Sequence, residues 1–320
     1  MSTKWTESDV PRLDEKTVVV TGANSGLGFE ATRIFAEHGA DVVMACRSIE
    51  RANDARDEIQ ERRPDGDLHV RECDLASLES VAAFAEQMHE EHDAIDILCN
   101  NAGVMAIPRA ETDDGFEMQI GVNHLGHFAL TGQLLDLLLD SDGEARIVHQ
   151  SSGMHERGQM DFEDLHGERS YDKWDAYGQS KLANLLFAYE LQRKLDDAGY
   201  TDSRSIGCHP GYAATNLQIR TGEESGSRIQ LGMMKVANAI FGQSAARGAL
   251  PMVYAAVAEG VAGGSYVGPG GLMNMRGYPE PQSSNDRSHD RESARTLWER
   301  SEELTGVTYD ALTQQAVADD

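Results

Sequence analysis

Tyr177 and Lys181 stand four residues apart, a spacing that puts two side chains on one face of a helix. A phenol is a poor proton donor near neutrality, with a reference pKa of about 10. A cation beside it stabilises the phenolate and brings that value toward the working range. Tyr177 is therefore a candidate acid/base, and Lys181 the cation that tunes it. Upstream, Ser151 and Ser152 follow an apolar run. A hydroxyl there could hydrogen-bond a substrate oxygen and stabilise charge developing on it. Tyrosine and lysine at this spacing are common on helices, so the pair depends for its meaning on its surroundings.

The strongest of those surroundings lies near the start of the chain. The run TVVVT at 17–21 leads into Gly22-Ala23-Asn24-Ser25-Gly26-Leu27-Gly28, and a helical pattern begins at Leu27. Glycines allow a sharp turn and let backbone approach a pyrophosphate, while a helix N-terminus offers N–H donors and a positive dipole end. The spacing is Gly-x3-Gly-x-Gly rather than the commoner Gly-x-Gly-x-x-Gly. Its place between a strand and a helix predicts a dinucleotide site around Gly22, Asn24, Ser25, Gly26, Leu27 and Gly28. Folds that bind NAD usually carry an acid at the end of the next strand, on the ribose 2′-hydroxyl. Here that strand ends Ala45-Cys46-Arg47-Ser48. A guanidinium suits a 2′-phosphate, so Arg47 predicts NADP(H).

These residues sit within a regular alternation. Apolar runs at 17–21, 41–45, 68–72, 95–99, 145–150, 204–208 and 265–267 read as strands. Amphipathic stretches at 27–38, 49–63, 77–91, 116–139, 177–198 and 244–258 read as helices. Short strands between such helices predict right-handed βαβ units and a doubly wound parallel sheet of about seven strands. No repeat and no Pro/Gly-rich linker divides the chain. One domain over 15–270 is expected, with an N-terminal extension at 1–14 and a C-terminal extension at 271–320. Two segments fit poorly. The region 213–243 is mixed in character and reads as a lid. Its Leu217, Ile219, Met233, Met234 and Phe241 suit either an apolar substrate or packing on the core or another subunit. The stretch 268–297, rich in Gly, Pro and Ser and then charged, reads as a surface extension.

Composition narrows the class. The 320 residues carry 54 acids against 28 bases, a formal net charge of −26. No basic stripe exists to meet phosphates, so a nucleic-acid partner is not expected. Regular apolar periodicity argues against disorder. An acidic, self-repelling surface suits high salt, where ions screen the repulsion, and a halophilic source is expected. No apolar run is long enough for a membrane span, and the polar N-terminus does not resemble a signal peptide, so a cytoplasmic enzyme is the expectation. Cys46, Cys73, Cys99 and Cys208 are far apart and without a CxxC pair. They read as buried thiols rather than a metal site or disulfide framework.

TGANSGLG at 21–28, CDL at 73–75, NNAG at 100–103, Asn123, Ser152, Tyr177-x3-Lys181 and Pro210-Gly211 together resemble the short-chain dehydrogenase/reductase family, over roughly 15–270. ACR at 45–47, VNHLGHFALT at 122–131, SKLANLLF at 180–187 and HPG at 209–211 look like its retinol dehydrogenase and protochlorophyllide-reductase-like subgroup. The resemblance implies hydride transfer between nicotinamide and a carbonyl or alcohol. It implies that Ser152, rather than Ser151, contacts the substrate oxygen. It also implies that Lys181 holds the nicotinamide ribose and that Asn123 anchors a water linking Lys181 to solvent. Further cofactor contacts carry over by position. They are Asp74 to the adenine amino group and Leu75 to its ring, then Asn101, Ala102 and Gly103 beside the adenosine ribose. Pro210 and Gly211 should lie against the nicotinamide, and Thr215 near the pyrophosphate or carboxamide. Family members often assemble through the two long helices, here 116–139 and 177–198; the oligomeric state itself stays open.

One departure stands out. The family commonly has about a dozen residues between its serine and tyrosine; here 153–176 intervene. The subgroup has a similar insertion, expected to shape the substrate mouth. His155, Phe162, Tyr171 and Trp174 within it suit either substrate contact or ordinary loop packing. Two rival readings share the fold: a non-catalytic NADP-binding sensor, and a nucleotide-sugar epimerase or dehydratase. The first should lack the tyrosine or lysine. The second usually carries a larger C-terminal substrate domain.

Overall fold

The computed structural model describes residues 4–211, 244–271 and 274–314. The chain folds as one doubly wound α/β domain. Its sheet has eight strands in the order β3-β2-β1-β4-β5-β6-β7-β8. They are β1 (Thr17–Thr21), β2 (Asp41–Cys46), β3 (Leu68–Glu72), β4 (Ile97–Asn100), β5 (Ala145–Gln150), β6 (Ser203–Cys208), β7 (Tyr266–Pro269) and β8 (Pro279–Gln282). All pair in parallel except β8, which runs antiparallel to β7. The eighth strand escapes a pattern search because its sequence, PEPQ, has two prolines that cannot donate to a ladder. Such a strand belongs at a sheet edge, where β8 lies.

Successive strand residues point to opposite faces, and both faces of this sheet are covered. Val18, Val20, Val42 and Met44 pack with α1 (Gly26–Glu37), α2 (Ile49–Gln60) and α8 (Ala245–Val257). Val19, Val43, Leu98 and Ile147 pack on the other face. There they meet α3 (Leu78–Glu91), α5 (Gly126–Gln133), α6 (Leu135–Leu139) and α7 (Lys173–Asp197). The cysteines are buried free thiols.

The two long helices differ from their sequence patterns. The helix with Tyr177 begins earlier, because Asp172 caps it by accepting from Trp174 N at 2.8 Å and Asp175 N at 3.1 Å. Tyr177 thus sits in a regular part of α7 rather than at its frayed end. The stretch expected as one helix at 116–139 is broken into α4 (Met118–Ile120), a π turn over Gly121–Leu125, then α5 and α6. The Gly126 N–H reaches back to the Gly121 carbonyl, one residue beyond the α-helical partner. Such a widened turn is a known mark of functional positions, and Asn123 lies inside it.

The C-terminal segment is more than a surface extension. In α9 (Arg291–Thr305), Ala294, Leu297, Trp298 and Ser301 are buried. That is an apolar stripe at helical spacing within an otherwise charged sequence. Trp298 meets Phe128, Phe187 and Tyr309, with ring centroids 5.2, 5.8 and 4.5 Å apart. Tyr309, just ahead of α10 (Ala311–Gln314), donates its hydroxyl to the Phe128 carbonyl at 2.8 Å. Among the described residues no helix is long and apolar enough to cross a membrane.

Candidate active site

Strand order reverses beside β1, which pairs with β2 on one side and β4 on the other. Ligands of open α/β sheets bind at such a switch point, beyond the carboxyl ends of the strands. A cavity of about 650 Å³ lies there. Gly22, Asn24, Ser25, Gly26 and Leu27 line it after β1, Arg47 after β2, and Asp74 and Leu75 after β3. Asn101, Ala102 and Gly103 line it after β4, Ser151 and Ser152 after β5, and Pro210 and Gly211 after β6, with Tyr177 and Lys181 from α7. Two predicted residues stand behind the wall. Thr215 and the predicted lid lie outside the described residues.

Gly28 is the first of those two. A Cβ there would come within 2.4 Å of the Gly22 carbonyl oxygen and 2.6 Å of Asn101 Nδ2. Only a bare backbone lets α1 approach the loop this closely. Thr21 closes the same corner: its hydroxyl accepts from the N–H groups of Asn101 and Ala102, both at 2.9 Å. Asn101 Nδ2 in turn donates to the Thr21 carbonyl at 2.8 Å. At the head of α1, Ser25 makes no side-chain hydrogen bond to the first-turn amides, which suits an anion at this end. The glycine cradle and this helix end fit a pyrophosphate.

Arg47 is exposed at the cavity's far end, its Nε 3.9 Å from Asp74 Oδ2. Ser48 and Arg51 also line this end, though the sequence reading passed over them. Ser48 caps α2 by accepting from Arg51 N at 3.4 Å, so a second guanidinium leaves the first turn of α2 beside Arg47. The Arg-x3-Arg spacing was the available signal.

At the other end the two serines part company. Ser151 donates its hydroxyl to the Lys181 carbonyl at 2.7 Å and so ties β5 to α7. The Ser152 hydroxyl accepts from Met154 N at 3.2 Å and lies close enough to Tyr177 to pull its phenol down. Lys181 Nζ donates to the Gln150 carbonyl at 3.1 Å and lies 5.8 Å from the centre of the Tyr177 ring. Asn184 shares that carbonyl at 2.9 Å.

Burial pushes the Tyr177 phenol up to about 12, against the opposing pull of the Ser152 hydrogen bond. An enclosed phenolate loses its hydration, and that loss sets the upward direction. The same burial lowers Lys181 to about 8.

Asn123 is the second residue behind the wall. Its Oδ1 accepts from Val104 N at 2.8 Å, and its Nδ2 donates to the Val104 carbonyl and to Ser180 Oγ, both at 2.9 Å. It thereby holds the loop after β4 against the residue preceding Lys181. Its own carbonyl accepts from His127 Nδ1 at 3.1 Å. His127, also unmarked by the sequence reading, must then accept at Nε2, where Thr21 Oγ lies 2.9 Å away. A buried imidazole thus joins the start of the glycine loop to the π turn.

Within the insertion, Tyr171 and Phe162 pack on neighbouring elements. Tyr171 donates toward the Ile107 carbonyl and Glu117, each at 3.0 Å, and accepts from Gln119 at 2.8 Å. Phe162 packs beside Ile120 and Leu186. Neither these two nor His155 and Trp174 line the cavity among the described residues.

A family model for short chain dehydrogenase matches residues 16–226. Retinol dehydrogenase 13 of Homo sapiens is 40% identical over 301 residues, covering 94% of this chain and 87% of the relative. Retinol dehydrogenase 14 of Mus musculus is 38% identical over 309 residues, covering 91% and 86%. The crystal structure of an uncharacterised Mycobacterium paratuberculosis protein is 41% identical, with a TM-score of 0.78, covering 96% of this chain and 99% of that one. A short chain dehydrogenase from Shigella flexneri complexed with NADP, 22% identical with a TM-score of 0.59, shares the fold. On the match of sequence and fold together, the chain belongs to the short-chain dehydrogenase family, in its retinol dehydrogenase-like subgroup.

Proposed function

We propose that this oxidoreductase is NADP(H)-dependent and moves a hydride between nicotinamide and a carbonyl or alcohol carbon of an apolar substrate. The observation that carries the reading is one cavity with Ser152, Tyr177 and Lys181 at one end and Arg47 with Arg51 at the other. Two guanidiniums suit a 2′-phosphate, because each presents a planar fork of N–H donors to its oxygens. The nicotinamide, when bound, supplies the hydride in reduction and receives it in oxidation.

The protein's own residues handle the proton. In reduction Tyr177 gives its hydroxyl proton to the carbonyl oxygen, and Ser152 hydrogen-bonds that oxygen as charge develops. Lys181 stabilises the tyrosinate left behind and holds the nicotinamide ribose. Asn123 anchors a water linking Lys181 to solvent. Oxidation runs the same steps backward. The apolar substrate rests on the composition of the region 213–243.

The direct test is NADPH consumption against a panel of aldehydes and ketones, from short aliphatic to retinal-like, in multimolar KCl. Tyr177→Phe should lower turnover by about 10²- to 10⁴-fold while leaving NADPH binding intact. Tight NADPH binding by the wild type with no turnover on any carbonyl would favour the sensor reading. Equal affinity for NADH and NADPH would remove the cofactor assignment.

A further inference from the structure

We propose that His155 is a positioning residue for Ser152, held in place by the segment that follows β8, so that the C-terminal part of the chain sets the geometry of the reaction centre. The proposal rests on the catalytic role read for Ser152 above. Ser152 opens a 3-10 turn, Gly153–Glu156. Its carbonyl accepts twice from one residue, from the His155 N–H at 3.0 Å and from His155 Nδ1 at 2.7 Å. A carbonyl only accepts, so the imidazole proton sits on Nδ1.

The ring has little freedom. It is buried, and its edge meets Tyr266 of β7, with centroids 5.4 Å apart at 75°. Tyr266 is itself stacked on His209 at 5.1 Å. Of charged groups, Glu156 Oε1 lies 3.4 Å from Nε2, and Arg287 faces the ring from the C-terminal segment.

Two contacts grip the turn from outside. Asn285 Nδ2 donates to the His155 carbonyl at 2.9 Å, and the Arg287 guanidinium donates to the Glu156 carbonyl. Asn285 is fixed in turn by accepting from Ser288 N at 3.0 Å. On the inner side the chain meets α7 backbone to backbone. A Cβ on Gly158 would lie 2.3 Å from the carbonyl oxygen of Gly178, the residue after Tyr177. The turn that carries Ser152 is therefore clamped between the C-terminal segment and the helix that carries Tyr177. Chain connectivity cannot set their separation, because residues 153–176 intervene; these contacts can.

The test uses the full-length protein, steady-state carbonyl reduction and NADPH binding by fluorescence, with four variants. These are Ser152→Ala, His155→Leu, His155→Asn, and His155→Leu combined with Ser152→Ala. Small displacements of a reacting group cost heavily, so His155→Leu should lower kcat roughly 10- to 100-fold and leave NADPH binding unchanged. His155→Asn, whose amide can donate to the same carbonyl, should recover most of that loss. On the Ser152→Ala background, His155→Leu should cost nothing more, since groups acting as a unit are non-additive. Equal losses on both backgrounds, or wild-type kcat in His155→Leu, would overturn the proposal. Wild-type turnover by Ser152→Ala alone would instead remove the role read for Ser152, and the positioning proposal with it. Should His155→Leu lose NADPH binding through misfolding, Asn285→Ala carries the same test. It should lower kcat only where Ser152 is present, and no effect there would overturn the proposal.

Discussion

Proton transfer in this site turns on two buried groups that burial moves in opposite directions. Tyr177 is raised to about 12 and Lys181 lowered to about 8. A phenol so raised stays protonated across the usual assay range and is always ready to donate. Lys181 is cationic below about pH 8 and neutral above it. On the proposed mechanism the cation supports the tyrosinate formed in reduction. The kcat for reduction should then be level below pH 8 and fall as the pH rises through it. A profile that stays level to pH 10 at saturating NADPH would separate Lys181 from the proton step. The choice between the two adjacent serines is also made at this scale. Ser151 is spent on the Lys181 carbonyl, and Ser152 reaches Tyr177. Their neighbourhood in sequence is identical, so only the contact partners separate them.

Among the elements, the least legible was α9, and it bears on the stability of the whole far face. Trp298 fills the space between α5, α7 and Tyr309, and the Lys194 ammonium lies 4.6 Å from its ring centre. Trp298→Ala should cost about 3–5 kcal/mol of stability, the usual penalty for emptying a large aromatic site. Glu299→Ala, one residue on and exposed, should change stability by less than about 0.5 kcal/mol. Urea unfolding of both variants checks this; matching midpoints would mean that α9 does not anchor the core. The stripe at 294, 297, 298 and 301 was present in the sequence. It was hidden because the helix is short of apolar residues and follows a Gly- and Pro-rich stretch. The π turn was hidden for a different reason. The Asn123 side chain inside it exchanges a pair of hydrogen bonds with Val104, a contact between two elements that no local pattern signals.

Taken as a whole, the protein is strongly acidic, with a net charge of −26. Ile49 is the one large hydrophobic residue exposed among the described residues. Glu50, Asp57 and Glu61 crowd α2 and its end, all exposed. Their mutual repulsion is felt in dilute buffer. It is screened over about 3 Å at 1 M salt. The midpoint of thermal unfolding should therefore rise from dilute buffer to multimolar KCl. Higher stability in dilute buffer would overturn the reading of a surface adapted to high salt. The sheet topology also acts at this scale. Loops from six different strands reach one cavity because the strand order reverses beside β1, and its lining runs from Gly22 to Gly211.

By itself the sequence determined what depends on neighbours along the chain. The β-branched run before the glycine loop, the helical spacing of Tyr177 and Lys181, and the strand–helix alternation are all local patterns. They were enough for the fold class and for most of the cavity lining. The tertiary structure alone decided what depends on distant partners. It set His155 against Tyr266 and Asn285, added β8 to the sheet edge and laid α9 over α5 and α7. It also set the Tyr177 phenol above its ordinary value, because the cost of burying a charge depends on everything packed around the group.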